Sequence, residues 1–377
     1  MTSQTIDLII LSSVHWHFTW QRHHEVAAGM AALGHRVTYF EPIPKRWPGL
    51  AEWQRVAGRL LGRHKAAGLM EQRVPPGVTL AGVLTLPDTG AVSRWGNRTW
   101  ATPRAAARWD KTLGRPRVVI NYLPLAASLD LQRRLEPDLA IYDCVWDWPN
   151  DPYSRPGVIQ EEALVGAADM VFADSPYLFA RMEEQHQRVE RVLPAVDFEL
   201  YAPARAAKAA QGERLRCAYF GAVGTNIDLD LMRRLSHEFA LRLIGPVQEA
   251  LGDLGPGTEV VGPVPQTDLP ALLADADVLV LPYRRAAHSA GVIPAKTFEC
   301  LATGKPTVAS GLDSLEELAD SFYRVEGAEA FVAAVRAAAS EESGKREARL
   351  RVARANSWSA RTEQIDSLIR TGLEQGR

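Results

Sequence analysis

Short unbroken apolar runs alternate with helical patterns along the whole chain. "IDLIILS" (6–12) has the composition of a strand buried on both faces. Val26, Met30 and Leu33 then recur at helical spacing, closed by Gly34, before "RVTYF" (36–40). After a long polar and basic stretch, "VTLAGVL" (78–84), "RVVINY" (117–122), "LAIYDC" (139–144) and "DMVFAD" (169–174) are strand-like. The prolines of "RVLPAVDFELYAP" (191–203) and the Ala/Lys/Gln/Gly stretch 204–214 interrupt the series. It resumes with "LRCAYFG" (215–221), a helix near 228–236, "LRLIG" (241–245), "EVVG" (259–262), a helix near 268–275, "DVLVLPY" (277–283), a further helix and "PTVAS" (306–310). Such alternation in both halves predicts two parallel-sheet α/β domains, 1–195 and 196–357, with a C-terminal helix near 358–377 free to pack back on the first. Ligands of these sheets sit outside the carboxyl ends of the strands, so two such domains are expected to face each other across a cleft.

Composition narrows the class. At 377 residues, 46% hydrophobic and 23% charged, the chain is long enough for two substantial cores. A formal charge of -2 argues against nucleic acid as a partner. Cys144, Cys217 and Cys300 are far apart and lack metal or disulfide spacing, the pattern of a reduced compartment. No apolar run reaches bilayer length and "MTSQTID" is no signal peptide, so a cytoplasmic location is expected.

The densest chemistry lies in "GVIPAKTFECLATGKPTVAS" (291–310). Phe298, Leu301 and Ala302 form a buried stripe, Pro294 suits a first turn and Gly304 a left-handed cap. Lys296 and Glu299 share the neighbouring face. A glycine-containing loop entering a helix offers free N–H groups and a positive dipole end to phosphate. Lys296 adds a point charge, and Glu299 can accept both hydroxyls of a ribose. Without a ligand the same two residues would make an i,i+3 ion pair worth about 0.2–0.5 kcal/mol.

"VVGPVPQTDLPALLADADVLVLPYR" and "GVIPAKTFECLATGKPTVAS", with the turn in "YFGAVGTNIDLDLM" and the segment "VLPAVDFELYAP", resemble GT-B-fold glycosyltransferases. The resemblance is to bacterial polysaccharide and teichuronic-acid-type transferases related to family 4. It covers 191–320 well, and the N-terminal half in outline and at "WQRHH" (20–24). It implies a GT-B pair of Rossmann-like domains and transfer of a sugar from a nucleotide donor, UDP-linked by expectation, to a saccharide or lipid-linked acceptor. No cofactor or metal is implied. On the donor side it implicates Gly221, Gly224, Val264, Tyr283, Arg284, Gly291, Val292, Lys296 and Glu299. Two departures stand out. Retaining family members carry a glutamate where Gly291 stands, and an Arg…Lys pair that "GAVGTNID" lacks. A nucleotide-sugar-binding protein without transferase activity is therefore the alternative. A dinucleotide oxidoreductase is disfavoured, since no GxGxxG follows the first strand.

The N-terminal half is expected to meet the acceptor. Nine of ten tryptophans precede residue 149, and Trp16, Trp20, Trp146 and Trp148 fall just past strand ends, where rings can stack on sugars or simply pack. In "HWHFTWQRHH" (15–24), His15 and Arg22 join the acceptor candidates, because no carboxylate or cysteine is spaced to complete a metal set. If the reaction inverts, a general base is needed. Asp147, in a Trp-lined loop that should raise its pKa, is the first choice, with Asp143 and His17 competing. Finally, "KRWPGLAEWQRVAGRLLGRHK" (45–65) and the stretch 93–117, with seven basic residues, one acidic and three Trp, read as basic amphipathic segments. Such segments either pack on the domain or dock at an anionic inner membrane face.

Overall fold

The computed structural model describes residues 4–18, 20–44, 47, 72–150, 159–206, 214–285 and 293–376. The basic segment 45–65, apart from Trp47, and both Gly291 and Val292 lie outside the described residues. The chain forms two compact units: Met1–Asp174 with Leu178–Val192 and Thr362–Arg377, and Ser175–Tyr177 with Leu193–Arg361.

In the first unit seven strands form one parallel sheet, ordered β3-β2-β1-β4-β5-β6-β7. They are β1 (Asp7–Leu11), β2 (Arg36–Phe40), β3 (Val78–Ala81), β4 (Arg117–Asn121), β5 (Leu139–Cys144), β6 (Met170–Ala173) and β7 (Val189–Arg191). The helices are α1 (Arg22–Ala32), α2 (Ala91–Gly96), α3 (Thr102–Asp110), α4 (Ala126–Arg134), α5 (Glu161–Val165) and α6 (Pro176–Glu183). A π-helical turn, Asn97–Ala101, joins α2 to α3. Every residue of β1, β4, β5 and β6 is buried, which is why these strands read as unbroken apolar runs. Each fully buried Ile, Leu or Val there contributes about 1.5–3 kcal/mol of hydrophobic stabilisation. Val26 and Met30 of α1 pack into this core, but Leu33 is exposed because it sits past the helix end, before Gly34 turns the chain at φ 90°.

The second unit holds a six-stranded parallel sheet, ordered β10-β9-β8-β11-β12-β13. Its strands are β8 (Arg216–Phe220), β9 (Ala240–Ile244), β10 (Glu259–Gly262), β11 (Val278–Pro282), β12 (Thr307–Ser310) and β13 (Tyr323–Arg324). Around it run α7 (Ala202–Ala206), α8 (Leu229–Glu238), α9 (Leu269–Leu273), α10 (Lys296–Thr303), α11 (Ala328–Ala338) and α12 (Ser343–Ala355). The last helix, α13 (Trp358–Gln375), begins in this unit and ends in the first. There His35 and Asp366 meet at 2.9 Å, and Gly29 leaves room for Thr362, whose hydroxyl would lie 2.3 Å from an added Cβ.

Both sheets reverse strand order once, at β1/β4 and at β8/β11. Loops leaving the two strands at such a point diverge and leave a crevice, where ligands of doubly wound sheets bind. Cys144, Cys217 and Cys300 are free and buried in the two cores.

Candidate functional site

In the second unit the crevice is bounded by Gly221 after β8, Tyr283 after β11, and the first turn of α10. Thr297, Phe298, Cys300, Leu301, Ala302 and Thr303 bury one face of α10. The helix ends at Gly304, which takes φ 70°, and Arg349 donates to the Gly304 carbonyl at 3.0 Å. That seating leaves Lys296 and Glu299 on the half-buried face, yet they do not pair with each other. No carboxylate oxygen lies within 4.0 Å of Lys296 Nζ among the described residues. The ammonium instead donates to Tyr219 Oη at 3.1 Å and sits 4.4 Å from the Tyr219 ring centroid, 5.5 Å from that of Tyr283 and 5.9 Å from that of Phe220. Burial pushes it down to about 8, with Cys300 and Glu299 offsetting part of that effect.

Gly221 makes room for this arrangement. It holds φ 111°, and a Cβ there would lie 2.4 Å from Lys296 Nζ. Gly224 lies in the same loop, against the Gln248 side chain, and Val223 pairs with Val247 from the neighbouring turn. Glu299 accepts a hydrogen bond from Gln266 Nε2 at 3.1 Å. Burial pushes its carboxyl above the usual range, opposed by Tyr201, Gln266 and Lys296. Gln266 belongs to the loop after β10 that also carries the half-buried Val264. The structure thus gathers Gly221, Tyr283 and Lys296 at one point and places Glu299 beside the Val264 loop. Arg284 is exposed, and its backbone N–H donates to Asn226. Tyr219, Phe220, Tyr201 and Gln266 were not singled out from sequence. Strand aromatics read as core, and no local pattern aims them at a lysine.

The first unit collects a different set of groups. Arg22, at the start of α1, donates twice to Asp143 near the end of β5, at 2.9 and 3.0 Å; Asp143 is buried and Arg22 half-buried. Asp143 is therefore held by a bidentate pair, and Arg22 is committed to it. His23 packs its ring 3.9 Å from that of Tyr122, with Nε2 3.2 Å from Ser13 Oγ. Asp174, one residue past β6, has its carboxyl pushed up to about 7 by burial, against the pull of Arg22 and with the added repulsion of Asp143. In the sequence it reads only as the end of the strand-like run "DMVFAD" (169–174).

Other acceptor candidates separate by burial. Trp16 has 0% exposure and packs edge-on against Trp20, His24 and Tyr39 at 5.0–5.6 Å, so it is core and no sugar platform. Trp148 is likewise buried, whereas Trp146 is 46% exposed and Trp20 half-buried, stacked on His24. His15 Nδ1 is 2.9 Å from a Glu41 oxygen, and His17 Nδ1 accepts from the Gln72 N–H at 3.3 Å. Asp147 is buried. Asn150 donates to its Oδ2 at 2.8 Å, and its Oδ1 lies 3.9 Å from Arg181 Nε. Arg181 is in turn clamped by Glu161 at 2.6 and 3.0 Å. Of the basic stretch 93–117, Arg117 is buried on Asp110 and Leu135, and Trp109 packs on Phe40. Trp95 and Trp100 remain exposed. Among the described residues, no group of three or more His, Cys, Asp or Glu is placed to hold a metal ion, and no helix is long and apolar enough to cross a membrane.

Known proteins share this fold. Residues 225–356, all within the second unit, match the family model described as glycosyl transferases group 1. A Bacillus subtilis (strain 168) protein named as a teichuronic acid biosynthesis glycosyltransferase, TuaH, is 23% identical over 272 residues, 63% of this chain and 68% of the relative. An E. coli structure described as trehalose-6-phosphate bound with UDP-2-fluoro glucose superposes with a TM-score of 0.63 at 10% identity, covering 96% of this chain and 98% of its own. The lipopolysaccharide outer core galactosyltransferase WaaB superposes with a TM-score of 0.63 at 11% identity, covering 98% and 99%. Two doubly wound sheets and these superpositions give the chain the GT-B fold, and residues 225–356 of its second unit match the glycosyl transferases group 1 model.

Proposed function

We propose that the chain transfers a sugar from a UDP-linked donor to a lipid-linked saccharide, in polysaccharide or glycoconjugate synthesis at an anionic membrane surface. The observation that carries the donor half is Lys296: a half-buried ammonium with no carboxylate partner among the described residues, held over Gly221 at a topological switch point. An unpaired charge in such a place is costly, and a diphosphate would supply the missing counter-charge. Glu299, turned toward the Val264 loop, is left to accept ribose hydroxyls. Lys296 and backbone N–H groups supply the positive charge, so the proposal includes no metal. UDP is favoured by the donor analogue named in the E. coli structure, and a polysaccharide product by the name of the Bacillus relative.

Lys296→Ala and Glu299→Ala should each weaken UDP binding by about 1–3 kcal/mol, the scale of charge-assisted hydrogen bonds. Titration calorimetry with uridine separates the roles: Lys296→Ala leaves uridine binding unchanged, whereas Glu299→Ala weakens it as much as it weakens UDP. Wild-type affinities in both variants would refute the assignment. The membrane half rests on Val92, Trp95 and Trp100, exposed by 80%, 69% and 48% on α2 and the π turn, interleaved with Arg94, Arg98 and Arg104. Exposed aromatics among cations suit an interface of anionic headgroups.

A further inference from the structure

The strand that leads into the donor crevice carries a phenol where a plain aromatic ring would fill the core as well. Tyr219, the fourth residue of β8, is fully buried and lies beside Leu243 of β9. Burying a hydroxyl is costly unless it is hydrogen-bonded, and this one is used twice. It donates to the Ala222 carbonyl at 2.7 Å and accepts from Lys296 Nζ at 3.1 Å. Burial pushes the phenol well above its usual pKa, with Tyr283 adding to the effect, so it keeps its proton. With that proton committed to Ala222, only oxygen lone pairs are left to face the ammonium. One side chain thus ties the lysine of α10 to the glycine turn 221–224. The lysine is held there but not saturated. Lys305, buried just past the same helix, places Nζ on two main-chain carbonyls, those of Ala274 and Ala276, at 2.8 and 2.7 Å. Lys296 has three N–H donors and, among the described residues, a single oxygen acceptor, with the Tyr219, Tyr283 and Phe220 rings around it. The turn and its continuation, "GAVGTNID" (221–228), contain no Lys or Arg, so Lys296 is what brings side-chain positive charge to them.

We propose that Tyr219 is a positioning residue for the donor diphosphate: its hydroxyl holds Lys296 over the glycine turn and leaves two of the lysine's N–H groups for phosphate oxygens. This rests on the reading of Lys296 as the phosphate contact. The lysine keeps its bond to Tyr219 when the diphosphate arrives, so the phenol orders a long, flexible side chain before binding rather than during it. Its lone pairs also favour the ammonium over the neutral amine, since a hydrogen bond to the charged form stabilises that form. The other titratable groups around the ammonium are Tyr283 after β11 and, on its own helix, Glu299 and Cys300.

The test is calorimetry of UDP and uridine, between about pH 7 and 9, with the wild-type chain and with Tyr219→Phe, which keeps the ring and loses the hydroxyl. Tyr219→Phe should weaken UDP about two- to tenfold at pH 7, the scale of ordering one long side chain, and leave uridine unchanged. The pH above which UDP affinity falls, about 8 in the wild-type chain, should move down by about 0.5–1 unit, because the ammonium has lost a hydrogen bond. In a Lys296→Ala background the same substitution should change UDP affinity by less than about twofold, since a residue that acts through the lysine has nothing left to place. Unchanged or tighter UDP binding by Tyr219→Phe, an unmoved pH break, or an equal loss in both backgrounds overturns the proposal while leaving the donor reading intact. Should Tyr219→Phe fail to fold, Lys296→Arg decides. Its fork is too broad for the seat over Gly221, where even a Cβ would lie 2.4 Å from Nζ, so it should bind UDP about tenfold more weakly despite keeping the charge. Wild-type affinity in that variant overturns the proposal too. Absence of UDP binding by the wild-type chain refutes the donor reading itself.

Discussion

Raising the pH from 7 to 8.5 should loosen UDP without touching a single covalent bond, because the charge proposed to hold the diphosphate is largely lost across that interval. Lys296 is pushed down to about 8 by burial. With that value the ammonium is about nine-tenths charged at pH 7 and about one-quarter charged at pH 8.5. If binding requires the charged form, UDP affinity falls about fourfold over this interval, or about 0.8 kcal/mol. The ligand barely changes, since the outer phosphate ionises near 6 and is already about nine-tenths in its fully charged form at pH 7. The sign is set by linkage: burial favours the neutral amine, an incoming diphosphate favours the ammonium, so binding raises the lysine's pKa and takes up a proton. At pH 8 the uptake should be about half a proton per UDP bound. Calorimetry in buffers of different ionisation enthalpy measures both quantities in one series. Lys296→Ala should bind UDP weakly and show neither the pH slope nor the uptake, and uridine should show neither with the wild-type chain. A constant wild-type affinity for UDP from pH 7 to 8.5, with no proton exchange, would refute the idea that Lys296 contacts phosphate.

Gly221→Ala places a methyl group 2.4 Å from Lys296 Nζ on a backbone at φ 111°. It should cost about 1–3 kcal/mol in urea unfolding and weaken UDP at least as much as Lys296→Ala, since the ammonium must leave its aromatic seat; wild-type UDP affinity would show that the close approach is dispensable. On the surface, Trp95→Ser with Trp100→Ser should abolish low-salt co-sedimentation with vesicles containing anionic lipid, and salt should release the wild-type chain. Equal sedimentation of both proteins would return these residues to the status of an ordinary exposed helix.

Much of the architecture is written locally. Strands such as Leu139–Cys144 are buried on both faces, so an unbroken apolar run announces them without help from the rest of the chain. The stripe Phe298, Leu301 and Ala302 and the left-handed Gly304 likewise mark α10 from within about ten residues. The edge strands β7 and β13, three and two residues long, carry too little apolar sequence to register in the same way. What periodicity cannot convey is which partner a polar side chain turns to. Lys296 and Glu299, three apart, look like an ion pair, yet the lysine faces Tyr219 and Tyr283 because parallel pairing of β8 with β11 brings those strand ends together. Trp16 has the same sequence setting as a sugar-stacking ring, and only the packing of Tyr39 and His24 around it made it core. Arg22 and Asp143 are 121 residues apart, and their bond is what separates a spent carboxylate from the unclamped Asp174. Local pattern reports which face of an element is buried. The order in which the strands pair decides which distant side chains share an edge, and with it where an uncompensated charge is left for a ligand.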